Sequence, residues 1–336
     1  MADGSRPPID KPCGEGLMPD ACAALAKLGI TIPPGDSHFF RGIKFIGEGS
    51  NVEASFPNGC GIGIRRTALH RLMVKRAEAG GASLLWRTPV TGLHPEGARI
   101  GRDLVRARWV IGADGRNSLV RSWAGLGSAT QRKRFAFRQH FRASPWSDCV
   151  EVHWSPRSQI YVTPVGVDEI CVAVASREPH MRLDRALAEF PEIGSRLRGV
   201  ACSSSGRGAV SSTCKLRKVY RGRVALIGDA SGTVDCITGE GLGLAFRQAD
   251  LLAECLVHDD LPAYQQQHAA LARRPALMSR LLLALDGNPS LRRRTMRIFG
   301  SEPQLFGRMV AMHVGSLSTL DCATGALVLG WRMLTA

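Results

Sequence analysis

A glycine-rich turn between a strand and a helix is the feature that most constrains this chain. It lies between Ala225 and Phe246, where the sequence is ALIGDASGTVDCITGEGLGLAF. An apolar strand ends at Asp229, and Gly239, Gly241 and Gly243 precede or open a helix. The carboxylate can accept hydrogen bonds from a ribose hydroxyl, and free N–H groups at a helix N-terminus favour anionic oxygens. The glycines could instead only allow close packing of helix on sheet. This segment alone leaves both interpretations open.

A second turn of the same kind stands earlier in the chain. Residues 109–121 are WVIGADGRNSLVR, an apolar strand that ends in a tight turn containing Asp114 and Gly115. Asn117 or Ser118 can cap the helix that follows. Asp114 stands at the carboxyl end of its strand, where α/β sheets bind ligands. A ligand-binding turn and a plain helix cap are equally compatible with this segment.

Hydrophobic periodicity indicates mixed secondary structure along the chain. Helices are predicted near residues 19–28, 67–79, 183–190 and 241–257, and the chain is expected to be helical after Leu261. Strands are predicted within residues 38–65, 83–94, 103–112 and 135–174 and from Arg223 to Gly228. Strands mixed with helices at this spacing favour an α/β or α+β fold over a helix bundle.

Composition excludes some classes of function. Lys+Arg number 44 and Asp+Glu 29, a net charge of +15, but basic runs are short and only 6% of residues are aromatic. Base-stacking surfaces are therefore poorly supplied, and we expect no nucleic-acid role. The ten cysteines form no CxxC pair or cysteine–histidine cluster, so we expect no metal and a reducing, cytoplasmic environment. A basic module that binds nucleic acid or anionic lipid is retained as a contrasting hypothesis.

The two turns in this order resemble the flavin-dependent monooxygenase and geranylgeranyl reductase superfamily, the p-hydroxybenzoate hydroxylase-like proteins. The segment GIRRTALHRLMVKRAEAGG resembles the family's RxxL helix at Arg66 and Leu69, and DKPCGEGLMP resembles the segment after its second strand. The resemblance covers essentially the whole chain and is weakest in the C-terminal helices. It implies a Rossmann-like FAD-binding domain, an inserted antiparallel-sheet substrate domain and a C-terminal helical region. Their expected bounds are residues 1–37, 57–130 and 215–260 for the first, 38–56 and 131–214 for the second, and 261–336 for the third.

The resemblance also implies roles for single residues. Asp229 would bind the ribityl or ribose part of FAD, and the turn that opens the later helix would lie against the flavin's pyrimidine edge. Asp114 and Gly115 would lie near the FAD pyrophosphate. Arg66 would contact the FAD phosphates or adenosine, whereas its neighbour Arg65 would not. The expected cofactor-binding residues are Arg66, Asp114, Gly115, Gly228, Asp229, Gly239, Glu240, Gly241 and Leu242.

The chain departs from the family's pattern near its N-terminus. Relatives open with a strand–helix–strand unit that carries GxGxxG, but no GxGxxG followed by a helix occurs here. The segment GCGIGIR, residues 59–65, has the glycines but is typical of a strand. We expect the recorded start to lie downstream of the true start. The alternative is a truncated relative that binds FAD weakly.

The family implies hydroxylation, halogenation or reduction of double bonds. A monooxygenase that uses FAD, NAD(P)H and O2 on an aromatic or lipophilic small molecule is expected first. A geranylgeranyl reductase-like enzyme is the second hypothesis, and a non-catalytic flavoprotein remnant is the third. The reductases' tyrosine–tryptophan–phenylalanine–proline run is not found, and Ile160 to Ala175 resembles monooxygenase-type members instead. KPCGEG resembles a reductase segment, in which Cys13 would be a proton donor or only a packing residue.

The remaining candidates come from the strand-rich part of the chain. Phe137, Trp154 and Tyr161 are expected to line the substrate site. Cys13 and His140 are the catalytic candidates, although a lone histidine in a strand is more often structural. The tail LDCATGALVLGWRMLTA is short for a membrane span and is expected to be a packed or interfacial helix. With the positive charge it permits loose membrane contact. The oligomeric state and substrate are not predicted.

Overall fold

The computed structural model describes residues 1–47, 49–317 and 332. The predicted C-terminal tail helix lies outside these residues, apart from Arg332. Within them the helices are α1 (Pro19–Lys27), α2 (Arg66–Ala79), α3 (Leu119–Trp123), α4 (Leu183–Leu187), α5 (Pro191–Leu197), α6 (Gly241–Val257), α7 (Leu261–Leu271), α8 (Arg273–Gly287), α9 (Pro289–Ser301) and α10 (Pro303–His313).

The strands are short except in the middle of the chain. They are β1 (Ala2–Asp3), β2 (Gly16–Leu17), β3 (Ser37–Phe40), β4 (Gly42–Gly47), β5 (Ser50–Ser55), β6 (Gly61–Ile64), β7 (Leu85–Trp86), β8 (Val90–His94), β9 (Gly97–Ile100), β10 (Asp103–Arg106), β11 (Val110–Gly112), β12 (Ser128–Phe141), β13 (Cys149–Trp154), β14 (Ser158–Gly166), β15 (Glu169–Ser176), β16 (Arg207–Leu216), β17 (Tyr220–Arg221) and β18 (Val224–Leu226). The predicted α/β character is confirmed.

A seven-stranded sheet forms one wall of the molecule. Its order is β16-β12-β15-β14-β13-β4-β5, and its pairs are antiparallel except β13 with β4. Helices α8 to α10 cover part of one face. There Phe45 and Trp154 of the sheet pack in one apolar core with Phe299 and Phe306 of the helices. The sheet and these helices therefore enclose space between them.

A small parallel pair brings the two glycine turns together. Strands β11 and β18 are parallel, and Gly112 lies opposite Leu226 at their carboxyl ends. The turns that follow, at Asp114 and Asp229, therefore start side by side, as ligand-binding turns of α/β sheets do. The Tyr264 hydroxyl of α7 donates a hydrogen bond to the Leu226 carbonyl at 2.6 Å, which anchors the end of β18.

Helix bounds follow local chemistry closely. Helix α6 runs from Gly241 to Val257, as the pattern predicted. The predicted helix over 183–190 is instead a short one, α4, followed by α5, because Pro191 starts a new helix at its N1 position. Among the described residues, no helix is both long enough and apolar enough to cross a membrane. The division into three regions stays a prediction.

Candidate functional site

A cavity of about 590 Å³ lies between the two glycine turns, the large sheet and the C-terminal helices. Its lining falls into two groups. Cationic and acidic side chains stand near the glycine turns: Lys11, Arg66, Arg116 and Asp229. Apolar side chains from β4, β13, α8 and α10 form the other group: Ile43, Phe45, Val150, Val152, Met278, Leu282, Met309 and Val310. The cavity can therefore hold a molecule with an anionic part and, beside it, an apolar one.

Asp229 is the acidic residue among the polar side chains that line the cavity near the glycine turns. It follows β18 in a 3₁₀ turn, Gly228–Ser231, and no hydrogen bond or ion pair joins its carboxylate to another described residue. Asp229 is exposed to solvent within the open cavity, but desolvation by the surrounding protein still raises the pKa of its carboxyl, while Lys11 and Arg116 lower it. A carboxylate with free lone pairs in such a place suits hydroxyl donors. Lys11 and Arg116 both lie in segments that the sequence singled out, but the sequence assigned neither of them a role.

The two neighbouring arginines have different partners. Arg65 forms an ion pair with Glu169, its Nη1 2.6 Å from Oε1. Arg66 lines the cavity, and its buried Nη1 has no hydrogen-bond acceptor in the part of the chain that the structure describes. An unpaired guanidinium donor beside a cavity is suited to bind phosphate oxygens. The structure thus leaves Arg66, and not Arg65, available to a ligand.

The three glycines of GEGLG serve different purposes. Gly239 adopts φ +68°, a left-handed conformation that favours glycine. A Cβ on Gly243 would lie 2.8 Å from that of Ala21, so this glycine allows α1 and α6 to pack closely. Gly241 lines the cavity and has neither constraint, because a Cβ there would meet nothing within 4 Å. The packing interpretation therefore explains Gly243 alone, and the N-terminus of α6 is open to a ligand at Gly241.

Asp114 mainly caps a helix. Its carboxylate accepts hydrogen bonds from the Ser118 hydroxyl and from the N–H groups of Leu119 and Val120, at 2.5, 2.7 and 3.1 Å. It is not among the cavity-lining residues, whereas Gly115 and Arg116 are. The turn therefore faces the cavity through these two residues, and the Asp114 carboxylate holds α3 in place behind them.

A buried polar network, which sequence reasoning missed, fixes the segment before α1. Glu15 has φ +62°, unusual for a residue other than glycine. Its Oε1 accepts from the backbone N–H of Arg66 at 2.9 Å, and its Oε2 lies 2.5 Å from His140 Nε2. His140 Nδ1 lies 3.1 Å from Arg138 Nη1, which can only donate, so Nδ1 accepts and Nε2–H donates to Glu15. Glu15 thus joins the start of α2 to the large sheet.

The network determines how the two catalytic candidates are placed. His140 is fully buried and does not line the cavity, whereas Cys13 does. Burial, followed by the Glu15 charge, raises the pKa of the Cys13 thiol, so it stays protonated at neutral pH. Glu15, His140 and Cys171 bring potential metal-ligand atoms within 4.8 Å of one another. Because His140 Nε2 already donates to Glu15, this group is a hydrogen-bonded cluster in the structure.

The three predicted substrate-lining residues all line the cavity. Tyr161 donates from its hydroxyl to the Ile237 carbonyl at 3.1 Å, which ties the sheet to the loop before α6. Trp154 packs edge-on against Phe45, with ring centroids 5.4 Å apart. Phe137 stacks beneath the Arg182 guanidinium at 5.6 Å. Their shared surface is aromatic and offers a ligand mainly apolar contact.

Glu240 is a buried carboxyl directly behind the open end of α6. Its Oε1 lies 3.5 Å from Arg274 Nη2, and its Oε2 lies 3.6 Å from His313 Nδ1 without a hydrogen bond. Desolvation raises the pKa of Glu240 to about 7, opposed by Arg274 and reinforced by Asp20. Desolvation also lowers the pKa of His313 to about 4. Glu240 therefore changes charge near neutral pH while His313 stays neutral.

The Glu240→Gln variant is expected to change how stability depends on pH. Ionisation of Glu240 is disfavoured in the folded chain, so its stabilising contribution is present below pH 4.5 and is lost as pH rises through about 7. Since one pKa unit corresponds to about 1.4 kcal/mol, the parent should lose about 2 to 3 kcal/mol relative to Glu240→Gln between pH 5 and pH 8. Urea unfolding of both proteins at the two pH values measures this difference.

Glu254→Gln is the control for this comparison, because it removes an exposed carboxyl from the same helix. Its difference in unfolding free energy from the parent should be nearly constant over the same pH interval. Parallel stability curves for the parent and Glu240→Gln would show that Glu240 is not a buried, titrating group.

Comparisons with known proteins agree with this geometry. The family described as FAD binding domain matches residues 36–259. Menaquinone reductase from Mycobacterium tuberculosis is 28% identical over an alignment of 282 positions, which covers 76% of this chain and 69% of that protein. Digeranylgeranylglycerophospholipid reductase from Methanocella arvoryzae is 28% identical over an alignment of 250 positions, which covers 65% of this chain and 62% of that protein. A flavoprotein/dehydrogenase structure from Cytophaga hutchinsonii matches with a TM-score of 0.74 and 16% identity, over 94% of this chain and 86% of that one.

Proposed function

The chain belongs to the FAD binding domain family, and we propose that it is an FAD-dependent oxidoreductase that reduces a lipophilic, isoprenoid-type molecule. The observation that carries the proposal is the cavity, which joins a polar, cationic group of side chains to a largely apolar one. The sequence resemblance to flavin enzymes is confirmed by the family match. The substrate and the reaction go beyond that match.

The residues at the polar group fit FAD. Arg66 has an orphaned buried donor, and Lys11 and Arg116 have no ion-pair partner among the described residues, so all three are available to phosphate oxygens. Asp229 has free lone pairs for a sugar hydroxyl. The open N-terminus of α6 at Gly241 offers N–H groups to an electron-rich ring edge. Gly228, Gly239 and Leu242 also line the cavity.

Bound FAD would supply hydride transfer, and the chain's own residues would provide orientation, proton control and exclusion of water. Glu15 positions Cys13 and the start of α2 through three hydrogen bonds: its backbone N–H donates to Cys13 Sγ, and its carboxylate accepts from the Arg66 N–H and from His140 Nε2. The Cys13 thiol, kept protonated by burial, is a proton source beside the cavity. Met278, Leu282, Met309 and Val310 of the C-terminal helices exclude water from the apolar group.

The similar proteins support reduction as the first candidate reaction. By their names, the relatives from Mycobacterium tuberculosis and Methanocella arvoryzae reduce menaquinone and a geranylgeranyl lipid. Both substrates carry long apolar chains, which the apolar lining would accept. This reverses the order expected from the sequence, where hydroxylation came first. NADPH or NADH is the proposed reductant.

Hydroxylation with O2 remains the second candidate, because the same cavity would accept an aromatic or lipophilic substrate. It is favoured by Phe137, Trp154 and Tyr161, whose aromatic rings line the cavity together. A 3-demethoxyubiquinol 3-hydroxylase from Escherichia coli is 28% identical over 177 residues, 47% of this chain and 42% of that protein.

Product analysis distinguishes the two reactions. We would incubate the FAD-supplemented protein with NADPH and menaquinone, in air and under nitrogen, and analyse the lipid by mass spectrometry. Reduction predicts a product that gains two hydrogen atoms under both atmospheres. Hydroxylation predicts a product that gains one oxygen atom in air only. A lipid left unchanged in both atmospheres, with a geranylgeranyl lipid tested alongside, would contradict the proposed function.

A further inference from the structure

One face of helix α8 points away from the cavity and is exposed. Met278 and Leu282 line the cavity, whereas Leu277 and Leu281, one turn apart, are 48% and 42% exposed. Arg273, Arg280 and Ala284 are also exposed. At 100° per residue these five side chains fall within one solvent-facing stripe, opposite Met278 and Leu282. We call residues 273, 277, 280, 281 and 284 the outer stripe of α8.

The outer stripe is basic and lacks acidic residues. Arg273 and Arg280 have no hydrogen bond or ion pair with any described residue. Residues 273–317 contain eight arginines against two acidic residues. Asp286 is buried against Arg134 and Arg177, and Glu302 pairs with Arg332 at 2.8 Å. The charge on the exposed surface of these helices is therefore positive.

Exposed leucines beside arginines that have no partner among the described residues are typical of a surface that binds an anionic bilayer. The headgroups of an anionic bilayer attract the arginines, and leucine side chains enter the layer just below the headgroups. Nucleic acid would use the arginines but gain little from the leucines. A second copy of this chain would meet the same positive charge and be repelled. The combination therefore favours a lipid surface over both alternatives.

We propose that the outer stripe of α8 docks this protein on an anionic lipid bilayer, so that a lipophilic substrate passes from the membrane to the cavity. Helix α8 would lie between the bilayer and the cavity, and a helix is only about 10–12 Å in diameter. The passage of substrate rests on the proposed function, but the docking surface does not. The residues differ from the C-terminal tail that the sequence indicated for membrane contact.

Vesicle co-sedimentation tests the docking surface without FAD or substrate. The probe is the complete chain with vesicles of phosphatidylglycerol and phosphatidylcholine, compared with vesicles of phosphatidylcholine alone. Since each basic residue near an anionic surface contributes about fivefold in affinity, Arg273→Gln with Arg280→Gln should weaken binding to anionic vesicles about 25-fold. Leu277→Gln with Leu281→Gln should weaken it at least about tenfold, because less apolar surface is buried.

Two exposed positions elsewhere provide matched controls. Val257→Gln removes an apolar side chain that is 79% exposed on α6, and Arg102→Gln removes an exposed arginine between β9 and β10. Both should bind vesicles as the parent does. Circular dichroism checks that every variant is folded.

Three results would overturn the proposal. The first is a parent that does not bind anionic vesicles, or that binds them equally well without the four stripe side chains. The second is a dimer of the parent, seen by sedimentation velocity, that Leu277→Gln with Leu281→Gln dissociates. The third is binding to heparin, but not to vesicles, that requires Arg273 and Arg280. None of these results bears on FAD binding or lipid reduction, so the proposed function is tested separately.

Discussion

Replacing Arg134 with methionine is expected to lower the free energy of unfolding by about 3–5 kcal/mol. Arg134 of β12 is only 3% exposed. Its Nη1 lies 2.6 Å from Asp286 of α8 and its Nε lies 3.4 Å from Asp235, while its Nη2 donates to Gln159 at 2.8 Å. Burial raises the pKa of Asp235, and Arg134 lowers it. Without Arg134, buried Asp235 would lose its ion pair, and buried Asp286 would be left with the half-exposed Arg177.

Arg177→Met is the matched control for this prediction. Arg177 pairs with the same Asp286 carboxylate, but its side chain is 49% exposed. Its removal should cost at most about 1 kcal/mol, as for other exposed ion pairs. Urea unfolding at pH 7 measures both variants. Similar losses in the two would contradict the account in which Arg134 carries the buried charge and joins α8 to the sheet.

Replacing Asp229 with alanine is expected to weaken FAD binding about ten- to a hundredfold, the range for a hydrogen bond to a charged group. The carboxylate has no hydrogen-bond or ion-pair partner in the part of the chain that the structure describes, and Asp229 lines the cavity after the strand that ends beside Gly112. Alanine keeps the turn but removes both acceptor oxygens. Titration of FAD fluorescence with each protein gives the dissociation constants.

Arg65→Ala is the comparison for that titration. Arg65 pairs with Glu169 and is not among the cavity-lining residues, so its loss should leave FAD affinity within about threefold of the parent. Arg66→Ala should weaken binding more than Arg65→Ala does, because Arg66, unlike Arg65, has a buried donor with no acceptor among the described residues. Equal losses for Asp229→Ala and Arg65→Ala would contradict the assignment of Asp229 to a sugar hydroxyl.

Sequence predicted best what local chemistry determines. The bounds of α6 follow from the glycines before it and the polar residues after it. The two apolar strands that end in similar turns, β11 and β18, were also predicted, although their parallel pairing was not. The distinct purposes of Gly239, Gly241 and Gly243 could not be predicted, because backbone dihedrals and neighbours such as Ala21 decide them.

Contacts between distant parts of the chain account for what sequence reasoning missed. Glu15 and His140 are 125 residues apart, and no spacing rule joins them. Both faces of α8 carry apolar side chains in the sequence, so only packing shows that Met278 lines the cavity and Leu277 does not. Asp114 had two open interpretations, and its hydrogen bonds to α3 favour the helix cap. Lys11 and Arg116 belong to no periodic pattern.

The absorption spectrum of the purified chain shows whether its cavity holds FAD. After incubation with excess FAD and gel filtration, we expect flavin absorbance bands to co-elute with the protein. We also expect the Asp229→Ala protein to retain much less flavin under the same conditions. A folded parent protein that stays colourless even at saturating FAD would contradict the claim that this cavity holds the cofactor.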